Sequence, residues 1–312
     1  MTDPIRALFP SVVDSTIIDS FRSCPQKAFR EYVQHWKSRG SNVHLHAGGA
    51  YASGIEAARK AFYVEGLSVG ESERIGLDTL GTAYGDFEPP SGSAKTRERM
   101  MGALDYYFSQ YPMETDMAKP ATVGGHTGIE FPFLEPLPVL HPVTGDPIMF
   151  SGRADALMEF AGGLYLEDDK TTSSLGTSWA KQWEMRGQFS GYSWAARELG
   201  LPIRGVLIRG VSILKTKYET MQVISYRSQY EIDRWYDQTC RDLERMVAAW
   251  HAGYWDWNLG ESCNSYGGCK FVDACKSDQP DSWITNQFEQ RVWDPLNREE
   301  LSLETYIARQ SS

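Results

Sequence analysis

Apolar residues in the first 120 positions recur mostly at three- and four-residue steps, the helical period. Asp14-Ser15-Thr16 supplies N-cap chemistry, with Asp19 three residues after Thr16 in capping-box spacing. Ile17, Ile18 and Phe21 then form an inward stripe that Cys24-Pro25 interrupts. Pro25 suits the first position of a new helix and pushes Cys24 toward an extended conformation. Residues 26–36, with Phe29, Tyr32 and Val33 apolar, read as that second helix, and 48–64 and 94–111 read as two more. The character changes near Gly124. Segments 127–134, 147–160, 163–168, 204–214 and 219–226 are β-branched, aromatic or alternating, as strands are. Two helices are predicted among and after them, 177–199 and 229–252, the latter with Trp235, Leu243, Met246 and Val247. The order strand, strand, helix, strand predicts an α/β core with helical additions. After residue 276 the chain is polar and punctuated by Trp, and the pattern assigns no element there. No internal repeat or low-complexity tract occurs.

At 312 residues and 41% hydrophobic, the chain can bury a sizeable core, as one large domain or two modest ones. No apolar run approaches the roughly 20 residues of a membrane-spanning helix. The start MTDPIRALFP lacks a secretory profile, so a soluble cytoplasmic protein is expected. A formal charge of −10 argues against a broadly basic nucleic-acid coat. It leaves room for an enzyme with a local groove, because carboxylates that hold metal ions lower the net count while the loaded site is electropositive.

The candidate chemistry starts at SGRADALMEF-AGG-LYLEDDKTT, which reads as a β-hairpin. Alternation puts Arg153, Asp155 and Leu157 on one face, and Asp168 and Lys170 together on one face of the next strand. With a two-residue Ala161-Gly162 turn, Phe160 faces Gly163 and Asp155 lies directly across from Asp168. Two like charges so placed call for a cation between them, and a hard ion such as Mg²⁺ or Mn²⁺ takes oxygen ligands. Lys170 on the same face is suited to orient or deprotonate an attacking water and to screen charge on phosphorus. The pattern points to hydrolysis of a phosphodiester. Gln188 and Tyr192 lie one helical turn apart and could support this site, with Lys181 and Arg186 as phosphate contacts.

Five cysteines, an odd number, argue against a disulfide framework in a chain expected to be intracellular. Cys263-x5-Cys269-x5-Cys275, with Cys24 far upstream, offers four thiolates if the chain ends meet. The wide spacing, without paired C-x2-C knuckles, favours an iron–sulfur cluster, with structural zinc as the alternative. Cys240 falls inside the 229–252 helix and reads as an ordinary buried thiol.

In this order and combination the residues resemble the RecB-like branch of the PD-(D/E)XK nuclease superfamily. The likeness is to its iron–sulfur members, the AddB nuclease domain and the CRISPR-associated and phage exonucleases. The motifs carrying it are FRSCPQKAF, HAGGAYASGIEAAR, Gly152-Arg153-Ala154-Asp155, Asp168-Asp169-Lys170, Gln188 to Tyr192 and the terminal cysteine triplet. The resemblance implies a restriction-endonuclease-like α/β core, a mixed central sheet flanked by helices. It also implies one domain over 1–276, with a mainly helical region 1–120, a catalytic core 121–252 and a cysteine segment 253–276, followed by a tail 277–312. It implies Asp155 and Asp168 as metal ligands, with the Asp169 main chain as a third, and Lys170 as the catalytic lysine. Gln188 and Tyr192 would support the site. Cys24, Cys263, Cys269 and Cys275 would hold a structural 4Fe-4S cluster. One departure stands out: Ser53, three residues before Glu56, occupies the place of a family metal-binding histidine. The further ligand is then Glu56, a displaced His44 or His46 from the preceding loop, or water. The implied role is an exonuclease leaving 5′-phosphates in recombination, repair or phage replication, acting on single strands or DNA ends, with a helicase or recombination protein as partner. A catalytically silent DNA-binding module of the same fold and a zinc-stabilised structural protein are the alternatives.

Overall fold

The computed structural model describes residues 8–40, 42–264 and 268–310. The chain forms two compact units interleaved in sequence. A sheet unit takes in 41–132 and 153–232, and a terminal unit takes in 1–40, 133–152 and 233–312. Strands β6 (Ile129–Leu140) and β7 (Pro147–Phe160) and helix α8 (Gln229–Ala252) each pass from one unit to the other along the chain.

The sheet unit opens with α3 (Val43–Tyr63), α4 (Val69–Tyr84) and α5 (Arg97–Gln110). Helix α3 begins five residues before its predicted start because the Asn42 side chain accepts the His44 N–H at 2.8 Å. His44 and His46 therefore belong to its first turn and not to a preceding loop. Helix α4, which the hydrophobic pattern did not reveal, starts at a capping box between Ser68 and Glu71. Its contact face is made partly of Gly76 and Gly81, residues invisible to a search for apolar stripes.

Short strands β3 (Lys119–Pro120), β4 (Thr122–Val123) and β5 (His126–Thr127) follow. The main sheet combines the second half of β7 with β8 (Gly163–Thr172), β9 (Ile203–Ile213) and β10 (Tyr218–Tyr226). The β7–β8 and β9–β10 pairs are antiparallel and β8–β9 is parallel, so the sheet is mixed. Ala161 and Gly162 both have positive φ, 48° and 71°, as a two-residue hairpin turn requires. The crossover from β8 to β9 carries α6 (Thr177–Lys181) and α7 (Gly187–Glu198). A single helix was expected over 177–199. The break at 182–186 has a tertiary cause: Arg227 Nη2, at 2.7 Å, and Ser225 Oγ, at 3.0 Å, both donate to the Trp183 carbonyl. One sheet face packs against α3 and α5 through Tyr51, Ile55, Met100, Leu104, Tyr107, Val211 and Ile213. The fold is α/β, a mixed central sheet flanked by helices.

In the terminal unit, β1 (Val12–Val13) runs parallel to the first half of β7, with Val12 opposite Met149. Helix α1 (Ser15–Ser23) is capped by Asp14, whose carboxylate accepts the Ile17 N–H at 2.9 Å. Helix α2 (Pro25–Ala28) passes into a π-helical turn, Phe29–Val33, so the predicted 26–36 helix ends early. His35, with φ of 63°, then turns the chain into β2 (Trp36–Ser38). After α8 come α9 (Glu261–Asn264), α10 (Val272–Lys276) and α11 (Pro280–Gln287). Strand β11 (Phe288–Gln290) pairs antiparallel with β2. Strands β12 (Val292–Asp294) and β13 (Glu299–Leu301) pair with each other, and α12 (Leu303–Gln310) follows. Among the described residues no helix is long and apolar enough to cross a membrane.

Candidate active site

In the sheet unit the β7–β8 ladder pairs Phe160 with Gly163 and continues to Ala156 opposite Glu167. One further step in that register sets Asp155 across from Asp168, as the alternation predicted. Asp155 Oδ2 accepts the Asp169 N–H at 2.7 Å, which ties the first carboxylate to the second strand. Asp168 is almost fully buried and forms an ion pair with Lys170 on the same strand face. Burial pushes the Asp168 carboxyl up to about 6, opposed by the Lys170 ammonium and reinforced by the Asp155 charge. Burial works against the charge on Lys170, but Asp168 and Asp155 outweigh it and hold the amine above its ordinary range. A like-charged carboxylate pair, stabilised by one amine, is a donor set that fits a hard divalent cation.

Helices complete the surroundings. Gln188 Nε2 donates to Tyr192 Oη at 3.0 Å, and the Tyr192 hydroxyl donates to the Arg153 carbonyl at 3.1 Å. The two side chains thus grip β7 two residues before Asp155. Arg153 itself pairs with Glu130. Gly210 sits beside Lys170 in the parallel register, and a Cβ there would lie 2.4 Å from the Trp179 ring. The glycine is what lets α6 close on that face. Glu56 lines a small pocket with Glu130, Asp155, Asp169 and Arg59, and is also bound by Lys60 at 2.5 Å. His46 is engaged elsewhere, its Nε2 2.8 Å from the Tyr84 carbonyl and its ring stacked on Phe87. Lys181 and Arg186 are exposed.

The opposite face of β8 carries a buried charge network that sequence inspection overlooked. Arg59 reaches Glu167 at 2.8 Å, Asp169 at 3.2 Å and the Tyr107 hydroxyl at 2.8 Å. Arg209 reaches Glu167 at 3.4 Å and clasps Asp116 with contacts of 2.6 and 2.9 Å. Burial raises the Glu167 carboxyl, while the two guanidiniums pull the other way. A signal was present in Glu-Asp-Asp-Lys: if Asp168 and Lys170 share one face, Glu167 and Asp169 must share the other. Nothing in the sequence said which distant arginines would meet them.

In the terminal unit Cys24, Cys263, Cys269 and Cys275 line one pocket, together with Lys27, Arg30 and Phe271. Cys24 is the extended residue between α1 and α2, Cys263 is on α9 and Cys275 on α10. The Cys269 N–H donates to the Cys263 carbonyl at 2.8 Å. Burial pushes the Cys275 thiol up, the Arg30 charge lowers it, and the other three cysteines raise it. The four cysteines thus line one mainly apolar pocket. Cys240 on α8 is not among the lining residues. Among the described residues no three His, Cys, Asp or Glu side chains are arranged to hold a metal ion between them.

The sequence profile of the PD-(D/E)XK nuclease superfamily matches residues 15–276. The chain belongs to the PD-(D/E)XK nuclease superfamily. No curated protein matches it. Among solved structures it is similar to a candidate exonuclease from Eubacterium rectale, with 12% identity over 83% of this chain and 90% of that one, at a TM-score of 0.48. It is also similar to the protein SSO0001, with 12% identity over 75% of this chain and 78% of that one, at a TM-score of 0.31. As a PD-(D/E)XK nuclease it is by class a phosphodiester hydrolase, of a family whose substrate is DNA and whose members typically use divalent ions such as Mg²⁺.

Proposed function

We propose that the chain is a divalent-metal-dependent deoxyribonuclease of the RecB-like iron–sulfur type, an exonuclease leaving 5′-phosphates. It would act in the cytoplasm on single strands or DNA ends, in recombination, repair or phage replication, alongside a helicase or recombination partner. The observation that carries the catalytic part is the meeting of Asp155, Asp168 and Lys170 on the β7–β8 hairpin, with Asp155 bonded to the Asp169 N–H.

Asp155 and Asp168 would hold Mg²⁺ or Mn²⁺, with the Asp169 main-chain carbonyl and Glu56 as the further donors. A divalent ion held by these residues would supply Lewis acidity beside the scissile phosphate. Lys170 orients the attacking water and screens the non-bridging oxygen as negative charge builds on it. Gln188 and Tyr192 keep β7 in place through the Arg153 carbonyl. In the terminal unit Cys24, Cys263, Cys269 and Cys275 would carry a structural 4Fe-4S cluster.

Cleavage of end-labelled single- and double-stranded DNA, with each end blocked in turn, tests the catalytic part. Lys170→Ala is expected to lower the single-turnover rate by about 10²- to 10⁴-fold, the range for loss of a positioned acid–base group. Mn²⁺ binding should be kept, and EDTA should abolish wild-type cleavage without unfolding. Equal rates in the variant and wild type would remove Lys170 from the mechanism. An inactive wild type on every substrate would favour the silent DNA-binding module.

A further inference from the structure

The cysteine pocket holds a charge that the proposed function does not use. Arg30, in the π-helical turn after α2, is only 4% exposed, and its Nη1 donates to Cys275 Sγ at 3.4 Å. Its guanidinium carbon lies 5.7 Å from the Phe271 ring centroid, and that ring stacks on Phe288 at 4.8 Å. The neighbouring carboxylate, Glu31, is engaged by Lys270 at 2.6 Å and Lys37 at 3.9 Å. Among the described residues no carboxylate pairs with Arg30. A guanidinium buried without an anion is strongly unfavourable, because it gives up hydration and receives no compensating charge. The atom it donates to is a cysteine sulfur, and the pocket there is lined by all four cysteines among other side chains. Four thiolates around a divalent ion, or around a cluster core of charge +2, leave a net charge of about −2. That is the missing anion.

We propose that Arg30 is the built-in counter-charge of a four-thiolate metal centre, holding the centre in its pocket and setting its electrostatics. The inference rests on the reading that the four cysteines bind a metal centre. It adds a positioning residue that touches a ligating sulfur without ligating the metal. A positive charge at this distance stabilises whichever state of the centre is more negative. For an iron–sulfur cluster that is the reduced state, so Arg30 raises the reduction potential. It also slows loss of the centre, since departing metal would leave four thiols beside an uncompensated cation.

The test uses the full chain, purified anaerobically, as wild type, Arg30→Gln and Arg30→Lys, with iron and zinc quantified first. Iron in the wild type, a more negative potential in Arg30→Gln and a potential close to wild type in Arg30→Lys would support the inference. Chelator-driven loss of the centre should be at least about tenfold faster in Arg30→Gln, as expected when a contact to a ligating group is removed. Potentials and loss rates equal to wild type would overturn it, because a merely structural arginine moves neither. Should Arg30→Gln fail to fold, Arg30→Met, a neutral side chain of similar reach, takes its place. A more negative potential and faster loss in it then support the proposal, and values equal to wild type overturn it. Zinc without iron would end the iron–sulfur reading, and zinc release to the same chelator would then decide the role of Arg30 in the same way. Neither metal in the wild type would overturn both.

Discussion

Arg59 shows how much of the site's precision is held by residues outside the Asp155–Asp168–Lys170 group. Its two-pronged contact to Glu167 and Asp169 fixes both strand positions that alternate with Asp168 and Lys170. Removing one partner of a buried ion pair leaves the other charge uncompensated, so Arg59→Met should lower stability by about 3–5 kcal/mol. Urea unfolding measures this, and a change under about 1 kcal/mol would show that the network is dispensable. His35 makes a second prediction at this scale. The ring is buried, and neither nitrogen has a hydrogen-bond partner among the described residues. Burial, followed by the charge of Lys37, lowers its pKa from 6.5 to about 4. Between those two values the unfolded chain binds a proton that the folded chain refuses. Stability should therefore fall as pH drops below 6.5 and level off below about 4, a loss of about 3 kcal/mol. His35→Asn tolerates the positive φ and should flatten the profile. Urea midpoints at pH 7 and 4.5 that shift equally in both proteins would refute this.

The α3–α4 crossing depends on two glycines facing each other. A Cβ on Gly76 would lie 2.8 Å from the Gly54 carbonyl, and one on Gly54 would lie 2.7 Å from the Leu104 side chain. Backbone opposes backbone there, so the contact cannot relax by a rotamer change. Gly76→Ala should cost about 1–3 kcal/mol despite the better helix propensity of Ala. A thermal midpoint equal to or above wild type would contradict the close crossing. Both this crossing and the α6–α7 break are decisions of packing. An expected long helix gave way where Arg227 and Ser225 took the Trp183 carbonyl, and an unexpected helix formed where small residues allowed close approach.

At the scale of the whole chain, Cys24 lines one pocket with Cys263, Cys269 and Cys275, so the terminal unit is assembled from segments far apart in sequence. The segment after Lys276 takes part in that assembly. Strand β11 pairs with β2, and Ile284 and Phe288 pack against Trp36, Phe271 and Ala274. Truncation after Ser277 would expose this cluster and lose two large buried side chains, at a cost of at least about 3 kcal/mol. The expected outcome is a lower melting temperature. A truncated chain that melts like wild type would mean that the last 35 residues are an ornament of the fold.

What the sequence determined by itself was local. Alternation and a two-residue turn were enough to set Asp155 opposite Asp168 and Lys170 beside it, because hairpin register follows from turn length and the period of two. The i to i+4 spacing of Gln188 and Tyr192, the caps and the cysteine spacing were legible for the same reason. Tertiary structure alone decided the rest: the arginines that meet Glu167, the seating of Arg30 on Cys275, the engagement of His46 by Tyr84 and Phe87, and the pairing of the tail with β2. Each of these joins segments far apart in the chain. Local periodicity carries no information about such partners, and only the closing of the packed core selects them.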